Sequence, residues 1–175
     1  MSAQLAWIRE EDPFAMAQDE FLQLVEYLRK GEGTDLSHEA LEVALSERGR
    51  ELQRLLFQAQ VDSRGPGPAA EAVCGADGVL RKVERLHERG LVTVFGEVRI
   101  RRLGYGTTGG VSVHPLDAEL NLPVEAYSLG VRRVVAEQAA QVSFDATGAA
   151  VEKQTGTVVG KWVFRPTVTG HFGAS

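Results

Sequence analysis

Arginine is the residue type in this chain that most directly suggests a chemistry, because its guanidinium group binds phosphate oxygens through paired hydrogen bonds. Residues 81–103 contain seven basic and three acidic side chains, a local charge of +4. This cluster permits local binding of phosphate groups. The same charges also suit the solvated face of a sheet. The arginines of this segment that we predict to contact DNA are Arg85, Arg89, Arg99, Arg101 and Arg102.

The charge of the whole chain is acidic and unevenly distributed. The formal net charge is −5, and residues 1–60 hold 12 acidic and 6 basic side chains. An acidic N-terminal part beside a basic segment permits local phosphate binding in a protein that is acidic overall. The composition therefore does not exclude a nucleic-acid partner.

A glycine pattern at residues 104–109 (GYGTTG) matches the G-x-G-x-x-G fingerprint of dinucleotide-binding proteins. That fingerprint binds a pyrophosphate only where a helix begins beside it. Residues 111–115 (VSVHP) follow instead, and they are extended and closed by a proline. We interpret the glycines as a flexible hairpin connection and expect no cofactor.

The remaining titratable residues do not form a recognisable catalytic or metal-binding motif. His114 lies near Asp117, but no serine or cysteine nucleophile motif accompanies it, and we interpret the histidine as a loop residue and the aspartate as the cap of a short turn. The single cysteine, Cys74, excludes an internal disulfide and a cysteine-rich zinc site. The histidines, which are not paired at metal-ligand spacing, are His38, His87, His114 and His171.

Two amphipathic helices are predicted at the N-terminus. Apolar residues recur at helical spacing over 14–30, and Gly31 and Gly33 end this helix. Ser37 is the predicted N-cap of a second helix that runs to about Gln60. The short link between them predicts a helical hairpin.

A loop and a small antiparallel sheet are predicted next. Residues 65–70 (GPGPAA) combine two prolines with two glycines, which indicates a loop or linker. From Val79 onward apolar residues alternate with polar ones, as in strands. Gly96 and Glu97 are the predicted central residues of a hairpin turn, and residues 111–113 are a candidate third strand. We expect arginines on one face of this sheet and aliphatic side chains on the other.

Helices are predicted again beyond Pro123. Apolar residues between Tyr127 and Val142 line one helix, and Ser143 is the predicted cap of a second helix that is interrupted at Gly156. This outline is typical of a helix-turn-helix, although three-helix bundles share it. Threonine there also caps helices, which is the structural alternative to a DNA contact. The residues of this part that we predict to contact DNA are Arg132, Arg133, Lys153, Thr155, Thr157 and Lys161.

The most specific pattern lies in residues 91–123, LVTVFGEVRIRRLGYGTTGGVSVHPLDAELNLP. The segments VFGEV, RRLGY and PLDAELNLP together resemble the N-terminal part of ISKra-type insertion-sequence transposases. Residues 142–146 (VSFDA) and 155–158 (TGTV) resemble the helix-turn-helix of that family. The resemblance covers roughly residues 15–161.

This resemblance implies a module that binds double-stranded DNA at the ends of an insertion sequence. In the family, a downstream DDE core uses three carboxylates and two metal ions to cut and join strands. The surroundings of Asp117, Asp145 and Glu152 do not match such a core, so we expect no catalytic residue and no enzyme. Pro166 stops the helix expected after Lys161 within one turn. We therefore expect a truncated remnant, produced by a frameshift or deletion.

The predicted fold class is α+β, with an N-terminal helical hairpin, a small antiparallel sheet and C-terminal helices of helix-turn-helix type. The predicted boundaries are 1–64 for the hairpin, 65–78 for the loop or linker, 79–123 for the sheet with its basic face, 124–161 for the helical part and 162–175 for an irregular tail.

A second hypothesis belongs to a different class. The acidic amphipathic helices within residues 10–60 can pair with a second copy, which suggests a stand-alone dimerisation or regulatory module. The expected partners are thus double-stranded DNA and a homo-oligomer. No run of about 18 apolar residues and no signal peptide is present, so we expect a cytoplasmic protein that does not enter a membrane.

Overall fold

The computed structural model describes residues 12–140, 144–156 and 158. The chain divides into two compact units, Met1–Pro66 and Gly67–Ser175. This division falls within the stretch that was predicted as a loop or linker. Helices and an antiparallel sheet are both present, so the α+β class is confirmed.

The N-terminal unit is helical, as predicted. It contains α1 (Ala15–Lys30), a short 3-10 turn (Glu32–Asp35) and α2 (His38–Ser63). Ser37 caps α2, because its hydroxyl accepts a hydrogen bond from the backbone N–H of Ala40 at 3.3 Å.

Close packing at the end of α1 explains its glycine link. A Cβ atom added to Gly31 would lie 2.9 Å from the Cα of Tyr27, so a larger residue would not fit. The guanidinium of Arg48, from α2, lies 4.1 Å from the centre of the Tyr27 ring. This cation–π contact fixes α2 against α1. The predicted helical hairpin is therefore present.

The sheet of the second unit has three antiparallel strands in the order β1-β2-β3. They are β1 (Ala72–Cys74), β2 (Leu80–Thr93) and β3 (Gly96–Gly106). The strand β1 lies inside the segment predicted as a loop, because three residues are too few to show a period of two. The candidate strand at 111–113 makes only one isolated bridge, between Val113 and Tyr105.

The hairpin turn lies two residues earlier than predicted. Thr93 pairs with Gly96, which leaves Val94 and Phe95 as the central residues. The Thr93 hydroxyl donates to the Gly96 carbonyl at 2.7 Å and accepts from the Phe95 N–H at 3.2 Å. Gly96 has φ +128°, which only glycine adopts freely, so the glycine closes the turn and does not form its centre.

The arginines of the hairpin do not share one face, contrary to the prediction. Residues that pair across the strands lie on the same face, and successive residues lie on opposite faces. Arg89 pairs with the buried Ile100, and Arg102 is two residues further along β3 on that same face. Arg99 and Arg101 occupy the opposite face. We call these the inner face and the outer face.

The C-terminal helices are α3 (Pro115–Glu119), α4 (Leu129–Ala139) and α5 (Phe144–Thr155). Ser128 caps α4 by accepting a hydrogen bond from the Val131 N–H at 3.2 Å. The helix α3 was not predicted, because five residues show no helical period. The core that joins α4, α5 and the hairpin consists of Val131, Val135 and Val151, with Val94, Tyr127 and Val134 packed against it.

Gly156 ends α5 in the left-handed conformation (φ +67°), and its N–H donates to the Glu152 carbonyl at 2.7 Å. This agrees with the predicted interruption at that glycine. The predicted cap Ser143, the start of a third helix at Thr157 to Lys161, and the tail 162–175 lie outside the described residues, apart from the exposed Val158.

Candidate nucleic-acid interface

The outer face of the hairpin presents two exposed arginines. Arg99 pairs across the strands with Gly90, and Arg101 pairs with Glu88. The side chain of Arg99 is 76% exposed, and its guanidinium lies 3.4 Å from the Glu88 carboxylate. An exposed ion pair of this kind contributes little to stability, typically less than about 1 kcal/mol. A phosphate can therefore compete for Arg99 at small energetic cost.

Arg85 lies at the far end of the hairpin from the turn. It is exposed, and its Nε donates to Nε2 of His87 at 3.0 Å. Its cross-strand partner is Gly104, so it belongs to the inner face and not to the outer one.

Two of the predicted DNA contacts, Arg89 and Arg102, are instead engaged inside the second unit. Arg89 donates to the carbonyl oxygens of Pro123 and Glu125 at 3.0 and 2.7 Å. Arg102 forms an ion pair with Asp117, whose carboxylate also lies 3.9 Å from Arg89. Both arginine side chains are only 14% exposed. Their geometry fits them for holding α3 and the following loop to the sheet.

The prediction that Asp117 caps a turn is wrong, because its side chain pairs with arginines of the sheet. Asp117 lies in the first turn of α3, and its carboxylate faces the two inner arginines. The Asp117 carboxylate and the Arg102 guanidinium are partly withdrawn from water. Their attraction is therefore stronger than a hydrogen bond from Asp117 to a nearby backbone N–H would be.

The helical residues predicted to contact DNA also fall into exposed residues and residues engaged in contacts within the second unit. Arg133 and Lys153 are exposed. Arg132 is half-buried and bonds to the Glu125 carboxylate at 3.1 Å. Thr155 is buried, and its hydroxyl donates to the Val151 carbonyl at 2.8 Å, so it faces the core rather than the surface. Thr157 and Lys161 lie outside the described residues.

A row of hydrogen bonds joins Arg85 to two histidines and fixes their tautomers. An arginine Nε only donates, so Nε2 of His87 accepts and its ring is neutral with the proton on Nδ1. That Nδ1 lies 2.8 Å from Nε2 of His114, which therefore accepts. Burial lowers the pKa of His114, and the nearby Arg102 guanidinium lowers it further.

The glycine fingerprint has a packing role. Gly104 and Gly106 lie within β3, and a Cβ on Gly104 would lie 3.0–3.2 Å from three atoms of the His87 ring. The glycine therefore makes room for the histidine across the strand. No sequence signal connects His87 to His114, which are 27 residues apart, and this contact was missed.

A cavity of about 340 Å³ lies on the inner face beside these groups. Its walls combine the inner charges with an apolar side. The lining residues are Arg89, Arg102, His114, Asp117, Ala118, Asn121, Leu122, Pro123 and Val124. The site was not predicted, although the position of Arg102, one residue out of phase with Arg99 and Arg101, is visible in the sequence.

No protein-family model, curated protein or solved structure matched the chain. Within the described part of the chain, no set of three metal-ligating side chains is close enough to hold an ion. Among the same residues, no helix is both long enough and apolar enough to span a membrane.

Proposed function

We propose that this chain is the DNA-binding N-terminal module of an ISKra-like transposase. The observation that carries the proposal is the pair of exposed arginines, Arg99 and Arg101, which alternate on the outer face of one strand. A strand at this spacing presents both guanidinium groups to one phosphate backbone. The resemblance of residues 91–123 to the transposase family supports the choice of DNA as the partner.

The C-terminal helices extend this surface in the proposal. Arg133 and Lys153 are exposed on α4 and α5, and they supply further positive charge. Arg89 and Arg102 are left out of the proposed DNA surface because they are engaged on the inner face. We assign binding and no catalytic step to these residues, and we place the protein in the cytoplasm, where its DNA partner is accessible.

Charge reversal tests the outer face. The double variant Arg99→Glu plus Arg101→Glu should abolish retention of duplex DNA at low salt, measured by fluorescence anisotropy. For the unaltered chain, log affinity should fall by about 0.9 per neutralised phosphate for each log unit of salt. The matched control is Arg29→Glu plus Lys30→Glu on α1, which changes the net charge equally but in the N-terminal unit.

The control decides how the result is interpreted. If the control variant loses DNA as completely as the hairpin variant, the effect comes from net charge and the outer face is not the interface. If the hairpin variant keeps full DNA retention, the DNA-binding proposal fails at these residues.

A second candidate function is self-association through the N-terminal unit. Apolar side chains remain exposed at helical spacing on α1, where Phe21 is 52% and Leu28 is 36% exposed. On α2, Leu45 and Leu56 are exposed at 37% and 44%. Exposed apolar stripes on helices are a common dimer surface.

Salt separates the two functions. An apolar dimer should persist in high salt, whereas phosphate binding should not. Analytical ultracentrifugation of the Phe21→Ser plus Leu56→Ser variant should give a monomer if α1 and α2 carry the contact. A variant that sediments like the unaltered protein at every concentration would rule this surface out.

A further inference from the structure

The cavity on the inner face holds more positive than negative charge. Arg89 and Arg102 contribute two guanidinium groups, and Asp117 contributes one carboxylate. Of the two histidines only His114 lines the cavity, its Nε2 lies 2.8 Å from Nδ1 of His87, and burial lowers the pKa of His114, which favours its neutral ring. The formal charge around the cavity is therefore +1. An uncompensated charge that is mostly withdrawn from water attracts a counter-ion strongly.

The polar atoms of this ion pair are incompletely satisfied. Within the described part of the chain, Nε of Arg102 and Oδ1 of Asp117 are buried and have no hydrogen-bond partner. Such buried orphan atoms are rare, and they call for a bound species that supplies the missing partners. A group that carries both acceptor oxygens and a hydroxyl can match one donor and one acceptor after a small movement of the two side chains.

We propose that this cavity is a binding site for a phosphate group. A monoprotonated phosphate carries three acceptor oxygens and one hydroxyl, which match Arg102 and Asp117 respectively. The volume of about 340 Å³ accommodates this group. Leu122 and Pro123 close one side with apolar atoms, which lowers the local polarity and strengthens the charge interaction. The site is independent of the proposed DNA surface on the outer face.

Two single substitutions should change the phosphate affinity in opposite directions, and a third serves as the control. Inorganic phosphate is titrated into the full chain and its binding is followed by the phosphorus NMR signal, with circular dichroism as the check on folding. Arg102→Gln should weaken binding by at least about tenfold, because it removes the charged fork. Asp117→Asn should tighten binding, because it removes the negative charge of the one carboxylate among the residues that line the cavity and keeps an amide oxygen that accepts from the phosphate hydroxyl or from Arg102. Arg29→Gln, which removes one exposed charge on α1 and belongs to neither proposed site, is the matched control and should bind like the unaltered chain.

Opposite changes in phosphate affinity distinguish a phosphate-binding site from an ion pair that only stabilises the fold. Both Arg102→Gln and Asp117→Asn break the same pair, so a purely structural role would weaken phosphate binding in both. That result, or a lack of saturation in the folded unaltered chain, overturns the proposal. Arg102→Lys keeps the charge and loses the fork, so it gives an intermediate affinity if Arg102→Gln does not fold.

Competition identifies the source of the phosphate. A short duplex with 5′-phosphate ends and the same duplex with 5′-hydroxyl ends are added to the phosphate-loaded chain. Displacement by the first alone assigns the site to a DNA end, and displacement by both assigns it to the DNA backbone. Displacement by neither assigns it to a free phosphate compound. The proposed DNA function fails separately, when charge reversal at Arg99 and Arg101 leaves DNA retention intact.

Discussion

Arg101 and Arg102 are neighbours in sequence, yet they lie on opposite faces of β3 in different surroundings. Arg101 is exposed on the outer face and lies across from Glu88. Arg102 is 14% exposed on the inner face, where it pairs with Asp117. The period of two in a strand turns one run of basic residues into two surfaces. One of them suits an external phosphate backbone, and the other holds α3 to the sheet and lines a cavity.

The largest expected effect comes from the inner face. Arg89→Met removes the donors to the Pro123 and Glu125 carbonyls and leaves those acceptors without a charged partner. We expect a loss of about 2–4 kcal/mol in the free energy of unfolding, because this arginine is mostly buried. Urea denaturation followed by circular dichroism measures it.

Arg89→Lys is the control for charge alone. A lysine keeps the charge but loses the planar fork that reaches two carbonyls at once, so its stability should fall between those of the unaltered chain and Arg89→Met. A loss below about 1 kcal/mol in Arg89→Met would show that the two faces do not differ in the way described.

The sequence alone predicts some of these elements but not the difference between the two faces. Helical periodicity and the cap at Ser37 located α1 and α2, because both signals are local. In a strand, successive residues point to opposite faces, so the sequence already places Arg101 and Arg102 on different faces. The charge cluster was nevertheless interpreted as one surface. The choice of which face is covered depends on α3, a helix too short to predict, and on the pairing of Arg102 with Asp117. These contacts join distant residues and have no local signature.

An intermediate effect is expected from pH, again only on the inner face. Burial, the Arg102 guanidinium and the Arg89 guanidinium lower the pKa of His114, while the Asp117 carboxylate opposes them. The unfolded chain therefore takes up this proton first as the pH falls below the ordinary histidine value of about 6.5. The contribution to stability is fully present above that pH and is lost as the pH falls through the lower, folded pKa.

Urea denaturation at a series of pH values from 7.5 to 5, chosen to bracket roughly the ordinary histidine pKa, checks this expectation. His114→Gln keeps an acceptor for the His87 ring and should flatten the decline. His38→Gln removes an exposed histidine at the start of α2 and is the control for the loss of one ring. A decline that is equally steep in His114→Gln would assign the pH dependence to other groups.

The smallest effect on stability is expected on the outer face. Arg99→Met applies the same substitution as Arg89→Met, but at a side chain that is 76% exposed, where the contact with Glu88 at 3.4 Å is open to solvent. We expect the free energy of unfolding to change by less than about 0.5 kcal/mol. Duplex affinity at low salt should nevertheless fall, and the slope of log affinity against log salt should become shallower by about 0.9.

Arg89→Met should show the reverse pattern, with lower stability and an unchanged salt slope. If Arg99→Met instead destabilises the fold and keeps its DNA affinity, the assignment of the outer face to binding and the inner face to packing is wrong.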